Sequence, residues 1–227
     1  MSSRDVVVVG GGIMGCGVAL RLAQAGVGVT VLERAIPGAE ASSAAAGILA
    51  PQAEAEGPGA FLDLCLRSRA LYPRFAEELR EISGVDVQYL PSGAFHVAFT
   101  EEALRHVEST VAWQRASGLR AEVLEGRAAR EIEPNLSAAA IGVAHFPDDH
   151  QVDNRLLVRA LSLAAARAGV RFRTGYVRGL EVMEERVVGV DLDGEKLAAG
   201  AVVVAAGSWS SLVQGARIDP QAVRPVR

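Results

Sequence analysis

Apolar residues open the chain as a continuous run, Val6 to Val9, return with helical spacing, and then form a second run before the first acidic loop. An all-valine segment suits a strand buried on both faces of a parallel sheet. The interval from Ile13 to about Ala25 is predicted as a helix and Val27 to Leu32 as the next strand. A small-residue loop, Ala35 to Gly47, follows, and Gly57-Pro-Gly59 punctuates the chain before the next apolar periodicity. Leu62, Cys65, Leu66, Leu71, Phe75, Leu79 and Ile82 recur at near-helical spacing, which predicts a helix over Ala60 to Ile82, kinked or divided at Pro73.

Val87 to Leu90 and Ala94 to Phe99 read as strands around a Pro91-Ser-Gly93 turn. Thr100 is an N-cap for a helix reaching about Ser117, with Glu101 and Glu102 favouring its start. Ala121 to Leu124 and Ile141 to Phe146 are short strands that bracket a helical turn ending before Pro134. Asp153 caps a helix from Asn154 to Ala168, which Gly169 ends. Val170 to Val182, Val187 to Leu192 and Ala201 to Ala206 then read as strands, with a hairpin turn at Asp193-Gly194. The order strand, helix, strand returns only after about Gln151. The predicted fold is therefore α/β: a Rossmann-like domain interrupted by an α+β insertion.

Gly10, Gly12 and Gly15 lie between the first strand and its helix, and Glu33 follows the second strand. Strand, glycine turn, helix, strand and acid together make a dinucleotide-binding fingerprint. Gly10 permits a tight turn, Gly12 lets backbone approach a pyrophosphate, and Gly15 lets the helix lie close to the strand. The N–H groups at the helix start face the phosphates, where the dipole favours negative charge. Glu33 can accept hydrogen bonds from both ribose hydroxyls of an adenosine, and its charge disfavours the 2′-phosphate of NADP.

With 227 residues, half of them apolar, the chain can bury a substantial core. Its net charge of −4 and lack of a basic run argue against nucleic acid and anionic membranes as partners. Two cysteines are too few for a disulfide framework, and Cys16 reads as a small buried residue. No basic and apolar leader precedes the first strand, so the cytoplasm is the expected compartment. No segment is expected to span a membrane. His145, Asp148, Asp149, His150 and Asp153 are metal-like by type but match no standard zinc spacing, so no metal is expected. Arg115, Arg120, Arg127 and Arg130 read as a solvated helix face. No nucleophile elbow or P-loop occurs.

Several segments together resemble the flavin-dependent D-amino-acid oxidase superfamily, with the strongest likeness to the glycine oxidases of thiamine biosynthesis (the ThiO type). They are Val8 to Gly15, Thr30 to Glu33, Ala41 to Pro51, Phe146 to Asp153 and Val202 to Ser210. The resemblance implies a glutathione-reductase-type FAD-binding domain in two pieces, 1–83 and 147–220, a partial substrate domain at 84–146, and the start of a further substrate-domain segment at 221–227. It implies oxidative deamination of glycine or a small N-alkyl glycine: hydride passes from the α-carbon to flavin N5, the imine hydrolyses, and oxygen or another acceptor takes the electrons, oxygen giving hydrogen peroxide.

By the same resemblance, Gly10, Gly12, Ile13, Met14 and Gly15 lie against the FAD pyrophosphate, and Glu33 and Arg34 at the adenosine. Ser42 and Ser43 offer hydroxyls to phosphate or ribityl oxygens, and Ala46, Gly47, Ile48 and Leu49 run along the flavin ring. Val177 pairs its backbone with adenine, and Ala206, Gly207 and Trp209 close over the cofactor. The chain corresponds to the N-terminal three-fifths of the family fold. The substrate-clamping arginine and the cysteine of covalent flavoproteins are expected beyond Arg227, so no catalytic residue is assigned and FAD is expected to be held non-covalently. The other readings are a flavin-dependent D-amino-acid dehydrogenase, an NAD-dependent dehydrogenase that shares only the opening motif, and an inactive or split FAD-binding fragment. A homo-oligomer or a complementing C-terminal chain as partner stays open.

Overall fold

In the computed structural model, which describes residues Asp5–Val223, the first apolar run is strand β1 (Val6–Val9). The predicted segment 221–227 lies largely outside the described residues. Helix α1 (Ile13–Gln24) and strand β2 (Val29–Glu33) complete the first βαβ turn. β2 starts later than its apolar run because the chain is still leaving α1 there: Val27 N–H donates to Leu22 O at 3.0 Å.

The chain divides into two compact units. The first draws on the segments up to Ala46, Glu77–Val87 and from Asp153 onward; the second comprises Gly47–Ala76 and Gln88–Val152. The units divide the chain at other bounds than those expected for the domains.

In the first unit a parallel sheet has the order β12-β1-β2-β8, where β8 is Arg171–Thr174 and β12 is Ala201–Val204. Its strands alternate between two packed faces. Val7 and Val9, with Leu32, join Val177, Val190, Leu192 and Val213 in one core cluster. On the opposite face Val8 meets α1, which packs against helix α6 (Asn154–Arg167). Each fully buried valine or leucine of this kind contributes about 1.5–3 kcal/mol. Asp153 caps α6 as predicted, its carboxylate accepting from Leu156 N–H at 2.8 Å.

The second sheet of this unit is antiparallel, β9 (Val177–Met183), β10 (Arg186–Leu192) and β11 (Glu195–Ala198). The predicted hairpin at Asp193-Gly194 is present, both residues at positive φ (53° and 93°). The predicted single strand from Val170 to Val182 is two. After Thr174 the backbone turns away, because the Asp193 carboxylate takes Tyr176 N–H at 2.9 Å and the chain joins the other sheet.

In the second unit, strands β4 (Ala94–Ala98), β5 (Glu122–Glu125) and β6 (Gly142–Phe146) form a sheet of order β4-β6-β5. Helix α4 (Glu101–Ala116), capped by Thr100, packs on it through Val107 and Val111. A short ribbon pairs β3 (Ile48–Leu49) with β7 (His150–Gln151). Val87 to Leu90, predicted as a strand, is not one: Gln88 sits at φ 51°, which breaks the extended run, and only Leu90 bridges to Gln151. Helix α3 (Ala60–Ser83) is continuous through Pro73 rather than divided. Proline removes one hydrogen bond, while Leu62 before it and Leu79 after it are both buried. The four arginines do not share a helix face. Arg115 lies on α4, Arg127 and Arg130 on helix α5 (Gly126–Ile132), and Arg120 pairs with Asp148 at 2.7 Å.

A buried polar network also sits in the second unit. The Asp149 carboxylate, fully buried, accepts from Ala53 N–H at 2.9 Å, Gln52 N–H at 3.3 Å and Arg69 at 2.6 Å. Gln52 and Gln114 exchange bonds, Gln52 Nε2 to Gln114 Oε1 at 2.9 Å and Gln114 Nε2 to Gln52 O at 2.7 Å. Burial pushes the Asp149 carboxyl above its ordinary value, and the N–H groups and Arg69 pull it part of the way back.

Removing one partner of a buried ion pair leaves the other uncompensated, so Arg69→Met is expected to destabilise the second unit by about 3–5 kcal/mol, most of it recovered in Arg69→Met with Asp149→Leu. Urea unfolding followed through Trp113 on α4, with Trp209→Phe as background, measures both. The raised carboxyl binds more protons folded than unfolded, so its contribution to stability falls as pH rises from 3.8 through the folded value. Asp149→Asn flattens that slope.

Candidate functional site

Four parallel strands end at one edge of the first unit, and a cavity of about 500 Å³ lies there, lined mostly by apolar side chains. Its floor is the glycine turn after β1. Gly10 has φ 103°, and a Cβ there would stand 2.4 Å from Ala205 O. A Cβ on Gly15 would meet Gly10 O at 1.9 Å, so only glycine lets α1 start this close beneath the turn. Gly12 is the N-cap of α1 and has no side chain to offer. The first-turn N–H groups of a helix have no carbonyl of their own helix to bond. One of them, Ile13 N–H, donates to Ser42 Oγ at 3.1 Å; the rest of the helix start faces the cavity with Gly12, Ile13 and Met14 in its wall.

Glu33, the last residue of β2, is fixed by two backbone donors. Gly11 N–H donates to Oε2 at 2.8 Å and Ala35 N–H to Oε1 at 3.0 Å. A carboxylate oxygen accepts twice, so each keeps an acceptor site for a hydroxyl group. Helix α2 (Ala41–Ala44) carries Ser42 and Ser43. It is held to the start of α6 by Asn154 Nδ2, which donates to Ser42 O at 2.7 Å. Ser43 Oγ donates to Gly38 O at 2.5 Å, which turns its hydroxyl into the loop, and Ser43 does not line the cavity. The Arg34 guanidinium lies 4.1 Å over the Trp209 ring and pairs with Glu40.

Of the residues singled out from sequence, Gly10, Gly12, Ile13, Met14, Glu33 and Arg34 line this cavity, and so do Ser42, Val177, Ala206, Gly207 and Trp209. Trp209 stands on a 3-10 helix, Gly207–Leu212, directly after the last strand's loop. Gly15 lies beneath the wall. Ala46, Gly47, Ile48 and Leu49 do not line it; Ile48 and Leu49 are β3 of the second unit, and their assignment to a flavin ring rests on the resemblance alone. Sequence reasoning passed over Gly11, Ile36, Glu40, Tyr176 and Leu212. Gly11 stands inside the glycine run and Tyr176 beside Val177, but nothing local marks Glu40.

The arrangement suits a diphosphate at the helix start, a sugar diol at Glu33 and a flat ring against apolar walls. Cys16, beneath the turn, donates its thiol to Gly11 O at 3.3 Å, and burial, then the Glu33 charge, pushes it up to about 12. Among the described residues no group of three or more acids, histidines and cysteines is placed to hold a metal ion, and no helix is long and apolar enough to cross a membrane. His145 pairs with Glu122, His150 with Tyr89 and Asp148 with Arg120.

The family model DAO, FAD dependent oxidoreductase, matches residues 5–227. The glycine oxidase of Geobacillus kaustophilus is 37% identical over 216 residues, covering 94% of this chain and 57% of that protein. The bifunctional protein ThiO/ThiG of Trichormus variabilis is 34% identical over 227 residues, covering 96% of this chain and 33% of that protein. The crystal structure of glycine oxidase from Geobacillus kaustophilus aligns with a TM-score of 0.88 at 36% identity, over 92% of this chain and 56% of that one. The chain thus spans little more than half the length of the glycine oxidases it matches.

A buried thiol with so high a pKa supplies almost no thiolate at neutral pH. Iodoacetamide at pH 8 is expected to leave Cys16 unmodified in the native chain while half-buried Cys65 labels first. Mass spectrometry of tryptic peptides before and after addition of urea reads this directly.

Proposed function

The chain belongs to the FAD dependent oxidoreductase (DAO) family, and on that premise we propose that it binds FAD non-covalently in the cavity of its first unit and serves the oxidation of glycine or a small N-alkyl glycine. The observation that carries the reading is the Glu33 carboxylate, held open to the cavity by Gly11 N–H and Ala35 N–H beside the N-terminus of α1. A sugar diol beside a diphosphate asks for that pairing. The residues fit the group. Gly10, Gly12, Ile13 and Met14 would hold the diphosphate, with Gly15 letting the helix start close beneath them, Glu33 would hold the adenosine sugar, and Val177 the adenine edge through its backbone. Ser42 braces the helix start, with Ser43 holding the loop behind it. Ala206, Gly207 and Trp209 would border the cofactor on the side of β12.

FAD, when bound, supplies the two-electron oxidation of an amine-bearing carbon beside a carboxylate. The chain's own residues bind and orient it: glycines admit the backbone, the helix start offers donors, and the valines and Leu212 exclude water from the ring. The first unit is then the FAD-binding domain, and the second is part of the substrate domain. The glycine oxidase and ThiO/ThiG likenesses support a small amino acid as substrate, with oxygen or another acceptor taking the electrons.

Fluorescence titration of the purified chain with FAD tests the site. The parent chain is expected to bind FAD and turn yellow. Glu33→Gln, which loses the charged acceptor, is expected to weaken binding by about 1.5–3 kcal/mol, roughly tenfold to a hundredfold. A folded chain that stays colourless and binds NADH instead overturns the reading. Bleaching of the bound flavin by anaerobic glycine, measured on the chain together with the C-terminal part expected to carry the substrate-clamping arginine, tests the substrate, and peroxide formed on admitting air distinguishes oxygen from another acceptor.

A further inference from the structure

Arg34 is the single cationic side chain among the described residues that line the cavity. It follows Glu33 in sequence and therefore stands at the sugar end of the site proposed above, on which this inference rests. A guanidinium beside that acid is the group that would receive a phosphate on the adenosine sugar, because its planar fork matches phosphate oxygens. Here the fork is already engaged. One flat face covers Trp209 at 4.1 Å from the ring centroid, and the edge pairs with the Glu40 carboxylate. Glu40 comes from the far end of the same loop, one residue before α2, and α2 is held by Asn154. Its position is therefore set by the fold and not by Arg34 alone.

We propose that Glu40 is a specificity-determining residue: by holding Arg34 against Trp209, it makes the cavity select an adenosine diphosphate whose sugar hydroxyls are free and turn away one that carries a sugar phosphate. The charges support this. Glu33, Arg34 and Glu40 sum to one negative charge around the sugar end. A phosphate entering there meets Glu33 directly and must break the Arg34–Glu40 pair to find a cation. Stacking on Trp209 adds a second restraint, since a guanidinium over an indole face is held by the ring's quadrupole. Both side chains of the pair are partly exposed, at 35% and 53%, so the effect is modest and weakens with added salt.

The test uses the FAD-loaded full chain at low ionic strength. ADP-ribose and 2′-phospho-ADP-ribose, which differ only by the phosphate, are titrated in and released FAD is followed by its fluorescence. The parent chain is expected to respond to ADP-ribose at the lower concentration. Glu40→Gln is expected to narrow the ratio between the two compounds by about threefold, the size of a partly exposed ion pair. Adding Arg34→Ala to Glu40→Gln is expected to restore the parent ratio, because the released cation is gone. An unchanged ratio in Glu40→Gln, with both compounds displacing FAD, overturns the proposal while leaving the FAD site intact. Equal narrowing in the double variant overturns the role given to Arg34. Failure of ADP-ribose to displace FAD from the parent chain instead brings down the dinucleotide reading of the cavity, and this proposal with it.

Discussion

Between Gly11 and Glu33 one N–H···O bond of 2.8 Å joins the glycine turn to the end of the second strand, and much of the site's shape follows from it. The register of β1 on β2 pairs Val9 with Leu32, which brings the residues just beyond them side by side. A carboxylate accepting from a backbone N–H contributes about 1.5–3 kcal/mol. Here that bond also fixes where the charge points. A Cβ on Gly11 would lie 3.2 Å from both Cβ and Oε2 of Glu33, so the middle glycine of the run is matched to the acid and not only to a ligand. The same turn fixes the start of α1, so helix dipole and carboxylate are positioned by one piece of backbone.

Parallel strands impose the next constraint. β12, β1, β2 and β8 all run the same way, so every strand delivers its following loop to the same edge. The loop after β1 brings Gly10 and Gly12, the end of β2 and the loop after it bring Glu33, Arg34 and Glu40, the turn after β8 brings Tyr176 and Val177, and the loop after β12 brings Ala206 and Trp209. Segments far apart in sequence therefore meet with no further device. An antiparallel sheet would send half of those loops to the opposite edge. This is the physical reason that open α/β sheets bind ligands beyond the carboxyl ends of their strands.

What could be read from the chain depends on how local each cause is. Val6 to Glu33 was legible because strand, turn, helix and acid lie within one short stretch and each residue type has its own steric or electrostatic reason. The caps at Thr100 and Asp153 and the turn at Asp193-Gly194 are equally local. Val177 and Trp209 came only through the resemblance, because their place depends on β8 pairing with β2 and β12 with β1. Glu40 was illegible: its partner Arg34 is six residues away, and both need Trp209 to be brought in by the sheet. The network around Asp149 was hidden for the same reason. Its members are drawn from Gln52, Arg69 and Gln114, and the sequence shows only an acid in a row of polar residues. Pro73 and Gln88 act in opposite directions: the helix runs undivided through Pro73, where burial on both sides outweighs one missing hydrogen bond, and a positive φ at Gln88 undoes a run that reads as a strand.

The state of the polar groups around the cavity bears on what kind of chemistry it serves. Glu33 is held by two N–H donors, Ser42 by Ile13 N–H and Arg34 by Glu40, while the Cys16 thiol is driven far from ionisation near neutral pH. A general base needs a pKa near the working pH, and a nucleophile needs an adjacent base to activate it. The Cys16 thiol meets neither condition, and Glu33, Ser42 and Arg34 are engaged in shaping the wall. A site built that way holds and orients a reactive group that comes with the ligand. That division, in which protein supplies geometry and the bound group supplies electrons, is what separates a cofactor cavity from a hydrolytic or acid–base centre. The same conclusion follows from the lining: mostly apolar walls beside the N–H groups of a helix start favour a long, flat molecule with its anionic group at the helix over a small polar substrate.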